Sequence, residues 1–376
     1  MSSTPPKIIY ADYHASTPID PRVGEDMAKY LYNQEIQGNP SSKDHNHGMT
    51  AAIALTKARI KIAKFINAES KENIIFTSGA TESNNIAIAQ FEKFVITSPI
   101  EHTSVNACVI KCQNRYFIPL NSDLSVNFGQ LTKDLAQFDE KPELISCMGA
   151  SNEIGTIFPI HEIGAFCRSH KILFHCDATQ LAPWQKIDVQ KDNIDFLSLS
   201  AHKIYGPQGV GVLYVKNPEN LKNLTCGGKQ EFTKRPGTQN MVGIIGLAKA
   251  VEIIETDRDA DIKKVALLRS KMEKKFYDEF QDIAFQINGG DNRIPNNLSI
   301  TFDGLDEGLL ELVTTWISVS NGSACHGGNV HMSPVMRYLG HGDSSQTLRI
   351  GLGRFTSESD IDKISERIIQ TVNRLK

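Results

Sequence analysis

Short apolar runs alternate with longer segments of helical periodicity across residues 70–215. The strand-like runs are bounded by polar or turn-forming residues, and they are "NIIFT" (73–77), "KFVITS" (93–98), "ELISCM" (143–148), "KILFHCD" (171–177) and "DFLSLS" (195–200). Segments such as "MTAAIALTKARIKIAKFI" (49–66) and "HEIGAFCRSH" (161–170) instead place apolar residues three or four positions apart, as amphipathic helices do. This alternation predicts a mainly parallel α/β sheet with helices on both faces.

The pattern changes from about residue 257. A long charged helix is predicted over 261–280, and short strands are predicted at "NNLSITF" (296–302) and "TLRIGLG" (347–353) before a final amphipathic helix over 359–376. We read this part as a smaller α+β unit. The predicted domains are a large one at 14–256 and a small one formed by 1–13 and 257–376.

Charge and composition narrow the class of partner. The chain carries 40 Lys and Arg against 43 Asp and Glu, a net charge of −3, and has no basic run. Such a balance argues against nucleic acid or an anionic membrane as the main ligand. The opening "MSSTPPK" has no apolar core of a signal peptide, and no apolar run approaches membrane-spanning length. We expect a soluble, cytoplasmic protein.

The seven cysteines do not form a pattern typical of disulfides or zinc ribbons, because they are scattered and include no CxxC pair. Cys147 and Cys176 lie in strand-like runs and are expected to be small buried hydrophobes. Cys325 differs, since its surroundings, "VSNGSACHGGNVHMSP", form a polar Ser/Gly/Asn loop.

A histidine cluster raises the alternative of a metal site. His45 and His47 in "DHNHG", together with Cys325, His326 and His331, supply ligand-type side chains. Their spacing matches no zinc pattern. We therefore expect a solvated loop at 44–48 and no bound metal.

Lys203 is the residue that first suggests chemistry, because a strand-like run leads into it and a glycine-rich turn follows, in "SLSAHKIYGPQGVGVLYV" (198–215). It could be a surface lysine, a phosphate-binding lysine or a Schiff-base lysine. The P-loop order is absent, since the glycines here follow the lysine. An imine with pyridoxal 5'-phosphate would remove the cost of burying the charge.

That cofactor makes further demands that other strand ends meet. Its pyridine nitrogen needs a carboxylate, which Asp177 offers, with Gln180 close by for the phenolic oxygen. Its phosphate suits a helix start and nearby polar side chains, and its ring needs a planar partner. The candidates for these roles are Ala80, Thr81, Ser200 and His202 for the phosphate and His102 for the ring face.

Ten motifs in order make the chain resemble the NifS-like cysteine desulfurases, which are fold-type I pyridoxal-phosphate enzymes. The motifs are "YADYHASTPIDPRV", "GNPSS", "FTSGATESNN", "EHTSV", "SNEIGTI", "CDATQ", "SAHKIYGPQGVG", "RPGTQN", "GSAC" and "LRIGLGRFT". The resemblance implies a large cofactor-binding domain with a mainly parallel seven-stranded sheet, and a smaller α+β domain that carries the cysteine loop.

The resemblance also implies roles for individual residues. Lys203 would carry the cofactor, Asp177 and Gln180 would contact its ring, and His102 would stack on the ring and shuttle protons. Ala80, Thr81, Ser200 and His202 would hold the phosphate, and Thr238 in "RPGTQN" would reach the phosphate of a neighbouring subunit, which implies a homodimer. Asn152 and Arg349 would hold the substrate carboxylate, for which an arginine fork is well suited.

The implied reaction converts L-cysteine to L-alanine and transfers the sulfur to Cys325 as a persulfide, then to an acceptor protein of unknown identity. The spacing from Cys325 to "SPVMRYLG" resembles the subgroup with a long, mobile cysteine loop. His326 is a further candidate for activating the thiol, although a solvent-exposed loop residue is the simpler interpretation.

Two other interpretations stay open at this point. One is a selenocysteine lyase, or another pyridoxal-phosphate-dependent β-elimination on a cysteine-like substrate; the other is a scaffold that has kept the fold without the chemistry. The sulfur's destination is equally open among iron–sulfur assembly, transfer-RNA thiolation, DNA phosphorothioation and a cofactor pathway. His14, in "HASTP" where relatives often read Ala-Ala-Thr-Thr-Pro, is placed near the expected pocket mouth; it could tune the site, although a neutral surface residue is the simpler expectation.

Overall fold

A computed structural model describes residues 8–321 and 332–376. The chain divides into two compact units. The larger unit comprises Pro18–Ala150 and Phe158–Arg258, and the smaller one comprises the described residues up to Thr17, Ser151–Ile157 and those from Asp259 onward. The short segment Ser151–Ile157 thus groups with the smaller unit, although the predicted ranges include it in 14–256. As a statement about domains, the predicted ranges stay a prediction.

The described residues form short strands and helices of varied length. The strands are β1 (Ile9–Tyr10), β2 (Ile74–Thr77), β3 (Phe94–Thr97), β4 (Asn114–Phe117), β5 (Leu144–Met148), β6 (Leu173–Asp177), β7 (Phe196–Ser200), β8 (Gly211–Val215), β9 (Phe285–Ile287), β10 (Asn297–Phe302), β11 (Ile317–Ser318) and β12 (Gln346–Gly351). The α-helices are α1 (Pro21–Tyr32), α2 (Asn46–Phe65), α3 (Ala80–Ile88), α4 (Thr103–Val109), α5 (Phe128–Leu135), α6 (Ile160–His170), α7 (Met241–Glu279), α8 (Leu309–Thr314), α9 (Pro334–Tyr338) and α10 (Glu358–Leu375).

A sheet of seven strands in the order β2-β8-β7-β6-β5-β3-β4 forms the larger unit. Strand β8 pairs antiparallel with both of its neighbours, and the other pairs are parallel. Every residue of β2, β3, β5, β7 and β8 is buried, as expected when helices cover both faces. The predicted mainly parallel α/β sheet is confirmed.

The register of the central strands brings their carboxyl ends to one edge. Asp177, the last residue of β6, lies opposite Met148 at the end of β5 and opposite Ser198 near the end of β7. Ligands of such sheets bind outside the carboxyl ends of the strands. The side chains that follow these three strands therefore share one edge.

The smaller unit is built from a three-stranded antiparallel sheet, β12-β10-β9, and the parallel pair β1-β11. Helix α10 buries one apolar face at a spacing of three to four residues, through Ile361, Ile364, Ile368 and Val372. This arrangement agrees with the predicted α+β character of the segment.

Helix α7 begins at Met241, well before the predicted start at residue 261. Its first part is apolar over much of its surface, because buried residues such as Ile244, Ala250 and Ile253 lie on different sides of the helix. Burial on several sides weakens the one-sided periodicity that identifies a helix in sequence. The amphipathic pattern becomes readable only in the charged second part.

Two other expectations concern burial and membranes. Cys147 and Cys176 are fully buried, as predicted for small core residues. Within residues 8–321 and 332–376, no helix combines the length and the apolar character needed to span a bilayer.

Candidate active site

Lys203 lies just past the carboxyl end of β7. The strand ends at Ser200, and a single 3₁₀ turn covers Ala201–Lys203. The backbone then folds back, because the amide of Gly206 donates to the carbonyl of Ala201 at 2.9 Å and the amide of Ala201 donates to that of Val210 at 3.1 Å. This closed turn fixes the lysine, which is partly buried, at the sheet edge.

An anion cradle forms where β2 leads into α3. The first amides of any α-helix, here those of Ala80 and Thr81, have no partner inside the helix. The capping residue, Gly79, has no side chain that could accept from them. A Cβ built on Gly79 would lie 3.7 Å from the hydroxyl of Ser200. The hydroxyl at the end of β7 therefore borders the helix start, an arrangement suited to a phosphate.

His202 contributes an uncharged ring beside this cradle. Burial, with a smaller effect from the neighbouring charge of Lys203, lowers the pKa of His202 to about 4. The ring is therefore neutral at physiological pH and can contribute a hydrogen bond to a phosphate rather than a charge.

Asp177 is held as a hydrogen-bond acceptor at the end of β6. Its carboxylate accepts from the amide of Thr179 at 3.0 Å and from Nδ2 of Asn84 at 2.7 Å, and its side chain is only 6% exposed. Gln180 follows in the next turn and is also buried. A buried carboxylate oriented in this way suits a protonated ring nitrogen.

His102 caps the N-terminus of α4, in the loop after β3. Its Nδ1 accepts the amide hydrogen of Ser104 at 3.1 Å and lies 2.8 Å from the hydroxyl of the same serine. These contacts fix the plane of the ring. Together, the lysine, the carboxylate and the anion cradle form a donor set that fits pyridoxal 5'-phosphate.

Two buried titratable residues near Asp177 were missed by sequence reasoning. His175 lies between two hydroxyls, with Nδ1 2.8 Å from Ser146 and Nε2 3.1 Å from Ser198, and burial lowers its pKa to about 4, although the charge of Asp177 acts in the opposite direction. Glu101 accepts the amide of Met148 at 2.7 Å, and burial raises its pKa well above the usual range. The His175 ring is therefore neutral near pH 7. The only sequence signal was their position beside His102 and Asp177 in the motifs.

Arg349 is the centre of a second polar cluster, within the smaller unit. It lies on β12, is 1% exposed, and donates from Nη2 to Asp12 at 2.8 Å and from Nη1 to the backbone oxygen of Asn152 at 3.0 Å. Asn152 thus contacts the arginine through its main chain. The structure brings the two residues predicted for a substrate carboxylate together.

Glu153 borders this cluster and was not predicted. Its Oε2 accepts the hydroxyl of Ser333 at 2.6 Å. Burial raises its pKa to about 7, and the effect is reduced by the serine's hydrogen bond and by the charge of Arg349. Its state of ionisation therefore changes close to physiological pH.

His14 is buried, 1% exposed, and the expectation of a surface residue is wrong. Its Nε2 lies 3.1 Å from Nδ2 of Asn297, which also donates to the backbone oxygen of Glu153 at 3.1 Å. A Cβ on Gly351 would lie within 2.9 Å of the ring, so a glycine is needed where strand β12 passes it. The sequence departure at His14 is therefore accommodated inside the smaller unit.

Thr238 lies exposed on a segment that two ion pairs attach to the larger unit. Arg235 donates to Glu82 of α3 at 2.8 Å. The buried Glu231 accepts from both terminal nitrogens of Arg59 in α2, at 2.7 and 2.8 Å. The segment is thereby held next to α3, whose first turn forms the anion cradle.

Several candidates lie outside the described residues, namely Cys325, His326 and His331. Of the histidine cluster, His45 has a local structural role, since its Nδ1 accepts the amide of Gly48 at 3.2 Å and caps α2. His47 is exposed on the first turn of the same helix, so the loop predicted over 44–48 is wrong from Asn46 onward.

Comparison with known proteins adds to this geometry. Residues 9–364 match the family model described as Aminotransferase class-V. "Cysteine desulfurase IscS" of Vibrio vulnificus (strain CMCP6) is 40% identical over 382 aligned residues, which cover 98% of this chain and 93% of that protein. A solved "NIFS-LIKE PROTEIN" superposes with a TM-score of 0.86 at 31% identity. The match covers 98% of this chain and 100% of the other. "SspA in complex with cysteine" superposes with a TM-score of 0.76 at 31% identity, over 93% of this chain and 100% of that one.

Proposed function

Because the chain belongs to the class-V aminotransferase family and, within it, to the cysteine desulfurases, we propose that it converts L-cysteine to L-alanine and transfers the sulfur to Cys325 as a persulfide. The family, the fold class and the enzyme class predicted from the sequence are confirmed. The observation that carries the proposed chemistry is the shared sheet edge where Lys203, Asp177 and the start of α3 meet.

Each residue at that edge has a proposed task. Pyridoxal 5'-phosphate, when bound, supplies an electron sink for the carbon next to the substrate carboxylate. Lys203 attaches it covalently through Nζ. Asp177 accepts a hydrogen bond from its ring nitrogen, and Gln180 donates to the phenolic oxygen. His102 covers one ring face and presents a proton-carrying nitrogen to the substrate.

The phosphate and the substrate carboxylate are assigned to separate groups of donors. The amides of Ala80 and Thr81 bind the phosphate, with Ser200 and His202 at its side, and Thr238 serves the phosphate of a second copy. In the smaller unit, Arg349 binds the substrate carboxylate by two parallel hydrogen bonds, with Asn152 as a further donor.

The remaining steps belong to the thiol. Cys325, as a thiolate, attacks the substrate sulfur, so that the C–S bond of the substrate breaks and an S–S bond forms. The electron pair of the broken bond stays with the rest of the substrate, which takes up a proton and leaves as alanine. The persulfide is then passed to an acceptor protein, in iron–sulfur assembly, transfer-RNA thiolation or DNA phosphorothioation.

We place the protein in the cytoplasm as a homodimer. Selenocysteine lyase activity is the alternative on the same site.

Borohydride reduction of the purified, cofactor-loaded protein, followed by peptide mapping, tests the proposal. The cofactor should be found on Lys203, and Lys203→Ala should lose both the cofactor's imine absorbance and all alanine production from L-cysteine. Cys325→Ala should keep the cofactor and lose the persulfide. Lys216→Ala is a matched control, because Lys216 follows the neighbouring strand β8 and pairs with Asp195 at 3.7 Å on the surface; it should behave as wild type.

An unmodified Lys203 in cofactor-replete protein, or full activity of Lys203→Ala, would contradict the assignment. The Cys325→Ala variant can be given L-selenocysteine or L-cysteine as substrate. If it still forms alanine and releases selenium or sulfur without a protein persulfide, the lyase alternative is favoured.

A further inference from the structure

A continuous line of hydrogen bonds joins Asp177 to His102 inside the larger unit. Asn84 Nδ2 lies 2.7 Å from Oδ2 of Asp177 and 2.9 Å from the hydroxyl of Ser104, and that hydroxyl lies 2.8 Å from Nδ1 of His102. Asn84 is fully buried, and Ser104 is 8% exposed. The two linking side chains are thus shielded from water. In such a surrounding a hydrogen bond is electrostatically stronger than it is in water.

The donors in this line can be assigned without seeing hydrogens. Both contacts of Asn84 are made by the same atom, and the ionised carboxylate of Asp177 can only accept. That atom is therefore the amide nitrogen, and it donates to Ser104 as well. The hydroxyl oxygen of Ser104 accepts from Asn84, and its own hydrogen remains available to donate to Nδ1 of His102.

The backbone points the same way. The amide of Ser104 donates to the same Nδ1 of His102 at 3.1 Å. A proton on Nδ1 would face the amide hydrogen, which cannot turn away, and would break that hydrogen bond; Nδ1 is therefore an acceptor, and the hydroxyl donates to it as well. The neutral ring therefore carries its proton on Nε2.

Asn84 makes this arrangement at a cost. Among the described residues, no hydrogen-bond partner reaches its buried Oδ1. An unsatisfied buried carbonyl is unfavourable, because it has lost its hydrogen bonds to water. An asparagine at this position is therefore explained by the two hydrogens of its amide nitrogen, one for Asp177 and one for Ser104.

We propose that Ser104, oriented by Asn84, is a positioning residue that keeps His102 as the neutral imidazole with its proton on Nε2. Two titratable groups accompany this arrangement: Glu101 precedes His102 in the chain, and Asp177 lies at the far end of the line. In the reaction proposed above, on which this consequence rests, His102 starts with its proton on Nε2, so that it first acts as a donor at that atom.

NMR of the cofactor-loaded protein with ¹⁵N-labelled histidine tests this directly, and His102→Gln identifies the resonances. In wild type near pH 7, Nδ1 should show the shift of an unprotonated nitrogen and Nε2 that of a protonated one. Ser104→Ala should raise the pKa of His102 by roughly half to one unit. Ser104→Thr keeps the hydroxyl and should restore the wild-type titration.

A wild-type His102 that carries its proton on Nδ1, or is an imidazolium at neutral pH, would overturn the proposal. So would a Ser104→Ala titration identical to that of wild type. If Ser104→Ala does not fold, Ser104→Cys, which keeps the size and weakens the donor, should give a smaller rise in the same direction, and no rise would count against it. The measurement needs no turnover, so a lack of desulfurase activity would contradict the proposed function and leave this inference standing.

Discussion

At the scale of single residues, Asn84 illustrates what a motif alone conceals. Its segment, "FTSGATESNN", was interpreted through the anion-binding start of the helix. The amide nitrogen of Asn84 instead reaches Asp177, 93 positions further along the chain. A local pattern predicts groups that act through the backbone nearby, such as the amides of Ala80 and Thr81. It contains no information about which distant side chain a buried amide meets.

Glu153 gives a pH dependence that can be measured. Below about pH 7 the side chain is neutral, and above it a negative charge develops beside Arg349. A substrate carboxylate must then compete with that charge as well as with Asp12, so affinity should fall as the pH rises. Between about pH 6 and about pH 8, KM for L-cysteine in wild type should rise roughly three- to tenfold relative to that of Glu153→Gln. The ratio of kcat between the two proteins should stay the same over this range.

Ser333→Ala provides the control on the cause. The serine hydroxyl stabilises the charged form of Glu153, so its removal should move the rise in KM to higher pH. Arg349→Ala should have a high KM at every pH, because the carboxylate anchor is gone. If Glu153→Gln and wild type keep parallel KM profiles, Glu153 does not influence substrate binding.

At the scale of elements, the sequence located the buried strands well and the exposed ones poorly. Strands β2, β3, β5 and β7 appear as continuous apolar runs because both of their faces are covered. Strand β4, with the sequence "NRYF", lies at the sheet edge and is largely exposed, so no apolar run marks it. A strand that is buried on both faces is recognisable in the sequence as an apolar run, whereas an exposed strand at the sheet edge is not.

The ion pair between Arg59 of α2 and Glu231 should be essential to the segment that carries Thr238. Glu231 is 3% exposed, and it also accepts the amide of Phe76 in β2 at 2.8 Å. Arg59→Met would leave this carboxylate buried without its counter-charge. We expect a loss of about 3–5 kcal/mol in the free energy of unfolding, measured by urea denaturation, together with weaker cofactor retention.

Lys61→Met on the same helix is the matched control. Lys61 pairs with Glu252 on the surface, where the two side chains are 48% and 44% exposed. Such a pair contributes at most about 1 kcal/mol. Equal effects of the two substitutions would show that the buried pair has no special role in this region.

At the scale of the whole molecule, the proposed homodimer can be tested directly, because Thr238 is exposed on its segment and accessible to a second copy. Light scattering after gel filtration should give a mass near twice 41.7 kDa for the chain. Thr238→Ala should keep that mass and bind the cofactor's phosphate less tightly, because the hydroxyl is proposed to serve the other copy. A monomer with full cofactor occupancy would contradict this assignment.

The sequence alone determined the α/β class, the family and the motifs from which Lys203, Asp177 and Arg349 were selected. It could do so because apolar periodicity and the residues that follow each strand are local properties of the chain. Only the tertiary structure decided that His14 is buried, that Glu153 ionises near neutral pH, and that Asn84 and Ser104 link Asp177 to His102. These properties depend on desolvation and on hydrogen bonds between segments far apart in sequence, and such contacts exist only once the chain has folded.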